Sequence, residues 1–554
     1  MQEHSKIVSL IKRYGESKVI RDQLTSTWDE ISDYARPTKH RIGTDGDFED
    51  SPDVNRFNGL FDTSTIDANR TYAAGVMSWM TPSETTWFSY DPPDYLSEND
   101  KITSFFSRAT DTTRRVLASS NFYSTIHENY LDDGAFGTSG MLIEEDSQLG
   151  LRFEALEIGE YTILENHRRL VDTVFREMGL TWRQAIQRFG EHNMAIEVQK
   201  MASENSKQLD MKGKFIHCIM PRVDADRIPG KLDARNMPWA SIYIDVKHNK
   251  IVRDSGAWEM PAAVHRHLLW GRANPWGFSP GMQASSDSKQ INFMQSYLDA
   301  LVEKQVSPPT LLPSTHEGKV DLRAGGHTFF KDQGSMPRFW DNPGNYMIGE
   351  DRTVFRRENI NRAFHVELFQ ALGAVPVGKQ MTAAEVNMRQ RDRLTLFSPT
   401  FARKNTELNT PVMKRIFAIL LRAGAFGELP QELIRINAEG MPFMPDPEIV
   451  YSSRLALQIK AIHNEAFLRT IDTTGPLIEY APDMIDNLNT DALFRGAARN
   501  EGMKEAWLRS DDDVDAIRQN RAEQMAQQQQ QESAHAEADS ASKMANAGLM
   551  TEAA

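Results

Sequence analysis

Residues 381–422 read MTAAEVNMRQRDRLTLFSPTFARKNTELNTPVMKRIFAILLR, and the fold turns on how this stretch is taken. Phe397, Phe401, Leu408, Val412, Ile416 and Leu420 keep helical spacing, which predicts one very long amphipathic helix. Thr382-Ala-Ala-Glu385 has capping-box spacing, in which a hydroxyl and a carboxylate each satisfy a backbone donor at the helix start. Pro399 and Pro411 each lack an N–H and should interrupt the helix. A helix of this length crosses a large domain and reads as architecture rather than as a catalytic element.

Gly373-Ala-Val-Pro-Val-Gly378-Lys379-Gln380 comes directly before it. A phosphate-binding loop needs G-x-x-x-x-G-K followed by Ser or Thr, because the hydroxyl holds Mg²⁺ while backbone N–H groups cradle the phosphates. Gln380 occupies the hydroxyl's position. Ile360, Phe364, Leu368 and Leu372 precede the loop at a spacing of four, a helix where the motif wants a strand. A Gly-Pro connection between two helices fits better than a nucleotide cradle.

The 554 residues suffice for large cores and by length suggest about two to four domains. The balance of 40% hydrophobic to 25% charged residues is that of a globular protein. No apolar run has the length of a membrane span, and the N-terminus shows no apolar signal core. The one cysteine, Cys218, excludes an internal disulfide and suits a reducing cytoplasm; it lies in a strand-like run, 214–220, and reads as buried filler. A formal net charge of −14 argues against a protein that grips DNA, since phosphate neutralisation supplies most of such affinity.

The N-terminal stripe Ile7, Leu10, Ile11, Tyr14, Leu24, Trp28, Ile31 predicts a helix over 5–35, stopped by Pro37. The acidic loop 43–53 lacks the glycine and closing glutamate of a calcium site. Helices follow over 65–80 and from about 102 to 131, with a short aromatic strand, 87–90, between them. The glycines of 132–140 lead into a strand and read as a tight helix-to-strand turn. Residues 141–270 look strand-rich, with hairpins at 149–150 and 247–250. His265 and His267 are the only close histidine pair and have no neighbouring ligand at metal spacing. Ile291, Met294, Leu298 and Leu301 form a narrow apolar seam suited to packing on another helix, from this chain or another subunit. Pro308-Pro309 ends that helix. A Gly/Pro-rich stretch with strand-like pieces such as Thr328–Phe330 separates it from a second helix over 351–372. A further helix is predicted over 454–470, and 519–554 is Gln/Ala/Glu-rich, a frayed helix or disorder. No catalytic constellation, metal set or cofactor motif stands out, so the chain reads as a non-enzyme.

The order of these segments resembles the head-to-tail connector, or portal, proteins of short-tailed bacteriophages. The resemblance rests on Trp28, Ile31, Tyr34 and Pro37; on Ala73–Met77, Thr81-Pro82 and Trp87-Phe88; on Gly134–Thr138, Trp276–Pro280 and Pro308-Pro309; and above all on Met381–Val386 with the helix through Pro399, Glu407 and Pro411. It spans roughly residues 25 to 425. It implies a predominantly helical α+β portal fold assembling into a ring, typically of twelve subunits, at one capsid vertex. On that pattern 1–284 is a wing, 285–306 the first stem helix, 307–350 a clip and 351–372 the second stem helix. Residues 373–380 are then a tunnel loop, 381–449 the long wing helix and return, 450–518 a crown, and 519–554 a polar tail. Val375, Pro376, Val377, Gly378, Lys379 and Gln380 would face double-stranded DNA passing without sequence specificity. Ile291, Met294, Leu298 and Leu301 would pack the stem. Implied partners are the terminase large subunit, tail adaptor and tail tube proteins, and the major capsid and scaffolding proteins, with no membrane. The implied place is the virion, after assembly in the host cytoplasm. Two other readings are a different virion structural protein, such as a tail adaptor or internal protein, and a nucleotide hydrolase using Gly373–Lys379.

Overall fold

The computed structural model describes residues 2–39, 55–96, 99–146, 150–204, 207–223, 233–271, 274–312, 346–370, 399–436 and 442–452, with scattered positions between 224 and 345 and within 491–531. The chain forms two compact units, Met1–Asp91 with Phe105–Val450, and Pro92–Ser104 with Tyr451–Ala554. The predicted helix over 454–470, the acidic loop and the segment 373–398 lie outside the described residues.

Helix α1 (Gln2–Ala35) ends just ahead of Pro37 and buries the predicted stripe except for the half-buried Ile11, with Trp28 fully enclosed. After the short α2 (Asn55–Asn58), helix α3 (Ser64–Met80) buries Ala68, Tyr72, Ala73, Val76 and Trp79 on one face. Strand β1 (Phe88–Asp91) leads to helices α4 (Asp100–Ser119) and α5 (Phe122–Phe136). Helix α5 stops at Gly137, whose left-handed φ of +74° turns the chain directly into β2 (Thr138–Asp146). The glycine-rich run is thus the predicted helix-to-strand turn.

Two antiparallel sheets follow. β2, β3 (Gly150–Leu156) and β9 (Ala262–Arg266) make a three-stranded sheet in the order β3-β2-β9. β4 (Tyr161–Glu165), β5 (Val171–Thr181), β6 (Lys212–Pro221), β7 (Trp239–Asp245) and β8 (Lys250–Ala257) make a meander in chain order. Cys218 lies buried in β6, and burial pushes its thiol up to about 12, as expected of inert filler. The strand-rich reading of 141–270 needs one correction: α6 (Trp182–Phe189) and α7 (Ile196–Ser203) sit between β5 and β6. Thr181 and Gln184 form a reciprocal capping box, at 3.2 and 3.0 Å, which starts α6 where β5 ends.

Three clusters of the core among the described residues surround the sheets. Trp28 and Trp276 meet edge-on at 4.7 Å, with Tyr161 5.4 Å from Trp276, where α1 crosses the sheets. Ile7, Leu10 and Tyr14 of α1 cover one face of the five-stranded sheet. On the other face, α6 and α7 pack Trp182, Phe189 and Val198 against Met178, Phe215 and Tyr243.

Strands β10 (Leu268–Leu269) and β11 (Gly277–Phe278) pair ahead of α8 (Pro280–Val306). Ser279 caps α8, accepting from Met282 N at 2.8 Å, with Pro280 at the first helical position. β12 (Thr310–Leu311) and β13 (Arg338–Phe339) pair antiparallel. The strand-like reading of Thr328–Phe330 is not met: residues 327–330 have no regular structure. Helix α9 (Tyr346–Ala363) begins earlier and ends earlier than the predicted 351–372 helix. His365 adopts φ of +54° and breaks it, and α10 (Val366–Gln370) resumes. The break turns Phe364 and Phe369 toward Tyr72, with ring centroids at 6.5 and 6.1 Å.

The long helix, α11, is described over 399–422. The predicted interruption near Pro411 takes the form of a π turn, Asn405–Asn409, in which Thr410 N–H reaches back to Asn405 O. The wider turn sits at Glu407, whose carbonyl the proline ring would otherwise strike. β14 (Arg435–Ile436), β15 (Pro442–Phe443) and β16 (Glu448–Tyr451) close the unit, β16 beside β1. Residues 513–528 are helical, so the helix runs into the first part of the predicted polar tail, 519–554.

Gly137 offers a direct test of the turn. A Cβ there would lie 2.7 Å from Phe278 C, at a φ that side chains resist. Gly137→Ala should lose roughly 1–3 kcal/mol, read as a lower thermal midpoint; an unchanged midpoint would show that the turn relaxes freely.

Candidate functional site: the seat of the long helix and the α8–α9 hairpin

Helix α11 buries Phe401, Leu408, Val412, Ile416 and Leu420, the stripe read from the sequence. Polar side chains on the same face hold it. Lys404, fully buried, donates to Asp133 of α5 and, at 3.0 Å, to His265 Nε2 of β9. Asp133 also accepts from Tyr72 OH at 2.6 Å and lies 3.4 Å from His267 Nδ1. Burial alone would raise the Asp133 carboxyl; Lys404, His265 and His267 overcome it and hold the group well below the usual carboxylate range. Burial, then Lys404, pushes His265 down to about 4, so its ring is neutral and Nε2 is free to accept.

One turn on, Glu407 takes a paired grip on Arg266: Arg266 Nη2 donates at 2.8 Å, Nε at 3.2 Å and the backbone N at 3.0 Å. Arg266 also donates to Glu165 and to Arg169 O. Further along, Arg415 donates to Ile143 O and Glu259 O, each at 3.1 Å, and burial lowers it to about 10. Arg422 reaches Glu259 at 2.6 Å near the surface. The helix is therefore bolted along its length to β2, β9 and the loop before β9.

The α8–α9 hairpin has two unlike faces. Its inner face buries Ile291, Leu298, Thr353 and Ile360, and Gly349 lets Leu298 come close: a Cβ there would lie 2.5 Å from Leu298 Cδ2. Arg356 donates to Asp287 across the pair at 2.6 Å, and Arg357 to Asp62 at 2.9 Å. Of the four predicted seam residues, Ile291 and Leu298 are buried within this chain, while Met294 and Leu301 are half-buried. The outer face carries Phe293 and Tyr297, 62% and 61% exposed with rings 4.6 Å apart, and on α9 Met347, Ile348 and Phe355. At its tip Leu311, Leu312, Phe329 and Phe339 are exposed. Exposed apolar surface of this extent marks an interaction face. The seam reading passed over Phe293 and Tyr297, although their spacing of four was legible. Among the described residues no group of three or more His, Cys, Asp or Glu could hold a metal, and no helix is long and apolar enough to cross a membrane.

The family described as bacteriophage head to tail connecting protein matches residues 8–508. The chain belongs to that family. Among the relatives of this head-to-tail connecting protein, the portal protein of Salmonella phage epsilon15 is 27% identical over 523 residues, covering 93% of this chain and 91% of its own. A probable portal protein of Bordetella phage BPP-1 is 28% identical over 554 residues, covering 98% and 96%. A solved virion of a native gene transfer agent particle overlaps loosely, at 10% identity and a TM-score of 0.35, over 81% of this chain and 89% of that one. The predicted loop residues Val375, Pro376, Val377, Gly378, Lys379 and Gln380 of the connecting protein lie outside the described residues. Lys404, Asp133, His265 and Arg266, which the structure brings together, carried no motif.

Lys404→Met strands a buried carboxylate and should cost about 3–5 kcal/mol. Asp133→Asn with Lys404→Met should recover much of that loss in chemical denaturation; strictly additive losses would show that the two groups do not act as a pair. The pH dependence has a definite sign. With His265 near 4 when folded and 6.5 when unfolded, the unfolded chain binds the extra proton between those values. Stability from this group is full above 6.5 and falls as pH drops toward 4, by on the order of 3 kcal/mol. His365, also lowered to about 4 by burial, acts in the same direction, and Glu160, raised by burial to about 7, opposes both. The slope of stability against pH in that window should therefore be shallower in His265→Gln than in the parent; equal slopes would refute the assignment.

Proposed function

We propose that this chain is the portal of a short-tailed phage, a ring of twelve subunits at one capsid vertex through which terminase packages DNA, through which the genome leaves, and on which the tail is built. The observation that carries this reading is the head-to-tail connecting family's match across residues 8–508. The names of the epsilon15 and BPP-1 relatives support the portal assignment. In this reading α8 and α9 are the stem, the segment around β12 and β13 is the clip that meets terminase and then the tail adaptor, and 373–380 is the tunnel loop. The region after 450 is the crown and tail. Capsid and scaffolding proteins surround the ring, which is assembled in the host cytoplasm.

Two physical features favour a ring that conducts DNA. The outer stem face, with Phe293 and Tyr297, has apolar area that a neighbouring subunit would cover. Each chain carries a formal charge of −14, so a ring of copies repels a polyanion overall and lets it slide.

Electron microscopy of the purified chain should show rings with a central channel wide enough for duplex DNA. Phe293→Ser with Tyr297→Ser should shift the population to monomers while leaving the circular dichroism spectrum intact. Monomers or fibres in the parent would sink the portal reading; rings in the double variant would sink only the assigned contact.

A further inference from the structure

Phe293 and Tyr297 need a covering surface on the neighbouring subunit, and the level at which they stand on the α8–α9 hairpin selects it. Leu298 faces Gly349 and Asp287 faces Arg356, so the two helices run antiparallel, side by side. In such a pair a step back along α8 and a step forward along α9 keep the same level. Each step turns its helix by about 100°, and the two turns have the same sense when viewed from one end. Residues equally far from Leu298 and Gly349 therefore stay roughly level and point in opposite directions.

Phe293 stands five residues before Leu298, and Val354 five residues after Gly349. Each is turned about 140° from the helix contact, so the two face opposite flanks of the hairpin, and both are exposed. Lys289 and Glu358 are the next such pair, nine residues out on each helix, and both are exposed. Lys289 is also held by Glu30 of its own chain, with 46% of its side chain still in solvent. Ala300 and Met347 are the third pair, two residues out in the other direction, and again both are exposed. Every pair matches in kind: apolar opposite apolar, cation opposite anion, a small residue opposite a long one.

Cyclic symmetry gives that match a use. Rotation about a ring axis carries one subunit onto the next without moving it along the axis. Hairpins set along the axis then meet flank to flank, with level residues touching. An isologous contact through Phe293 would instead leave Val354 and Met347 in solvent.

On the ring reading, we propose that the α8–α9 hairpins join by a heterologous contact in which Phe293 of each subunit packs on Val354 of the next, Lys289 pairs with Glu358, and Ala300 receives Met347. The apolar pairs supply attraction and the charge pair fixes the level. Both flanks of every hairpin are used, and none is left over once the ring closes.

Thiol cross-linking of the full chain tests this, since its own Cys218 is buried. Phe293→Cys with Val354→Cys in one chain, treated with a short bismaleimide, should give a ladder of covalent multimers on a denaturing gel, rising to the full ring. Each single variant should stay monomeric on the gel. If Phe293→Cys blocks assembly, Ala300→Cys with Met347→Cys, which keeps the aromatic pair, decides. Glu358→Lys should raise the concentration at which half the rings form, on the order of tenfold. Covalent dimers from Phe293→Cys alone would show an isologous contact and overturn the pairing, as would Glu358→Lys assembling like the parent. Rings seen by microscopy in double variants that stay monomeric on the gel would overturn the pairing and leave the portal reading standing. A parent that forms no rings would take both.

Discussion

A charge removed from water must meet its opposite or be neutralised, and the seat of α11 is organised by that constraint. Lys404 and Asp133 are both fully buried, and neither could stay ionised there alone. Their contact fixes α11 against α5, His265 extends it to β9, and Tyr72 extends it to α3. Arg266 with Glu407 repeats the device one turn further on. Apolar packing of Leu408, Val412 and Ile416 supplies attraction without direction. The ion pairs supply position, since a helix slid by one turn along the sheet would leave several charges buried and unpaired.

That division explains what could be read from the sequence. The apolar stripe of α11, the cap at Ser279-Pro280 and the turn at Gly137 are local and periodic, and each was legible. Lys404 stands 271 residues from Asp133, and no spacing rule links them. His265 and His267 were noticed only as a pair lacking nearby ligands; what they meet, Lys404 and Asp133, is brought from other helices. Helices α6 and α7, eight residues each, were lost among strands because two turns give too few repeats to establish a period, though Thr181 and Gln184 announce the first. The break at His365 has no proline or glycine to signal it and follows from Phe364 and Phe369 both packing toward Tyr72.

The α8–α9 hairpin shows the complementary economy. One face is tied inward by Leu298, Ile360 and the Arg356–Asp287 pair, and the other presents aromatic surface to whatever lies outside. Rigid attachment on the inside is what makes an exposed face useful, because a partner then meets a surface whose ordering entropy is already spent.

The π turn at Asn405–Asn409 carries one residue more than an unbroken α-helix would place between its ends. Each residue turns a helix by about 100°, so the surplus works as a phase shifter. Excising a single residue there would regularise the backbone yet swing Phe401 and Lys404 about the axis by roughly that angle, away from the pocket in which Asp133 waits. The irregular turn is therefore the azimuthal setting that lets two straight segments, each with its own preferred direction, meet one and the same wall.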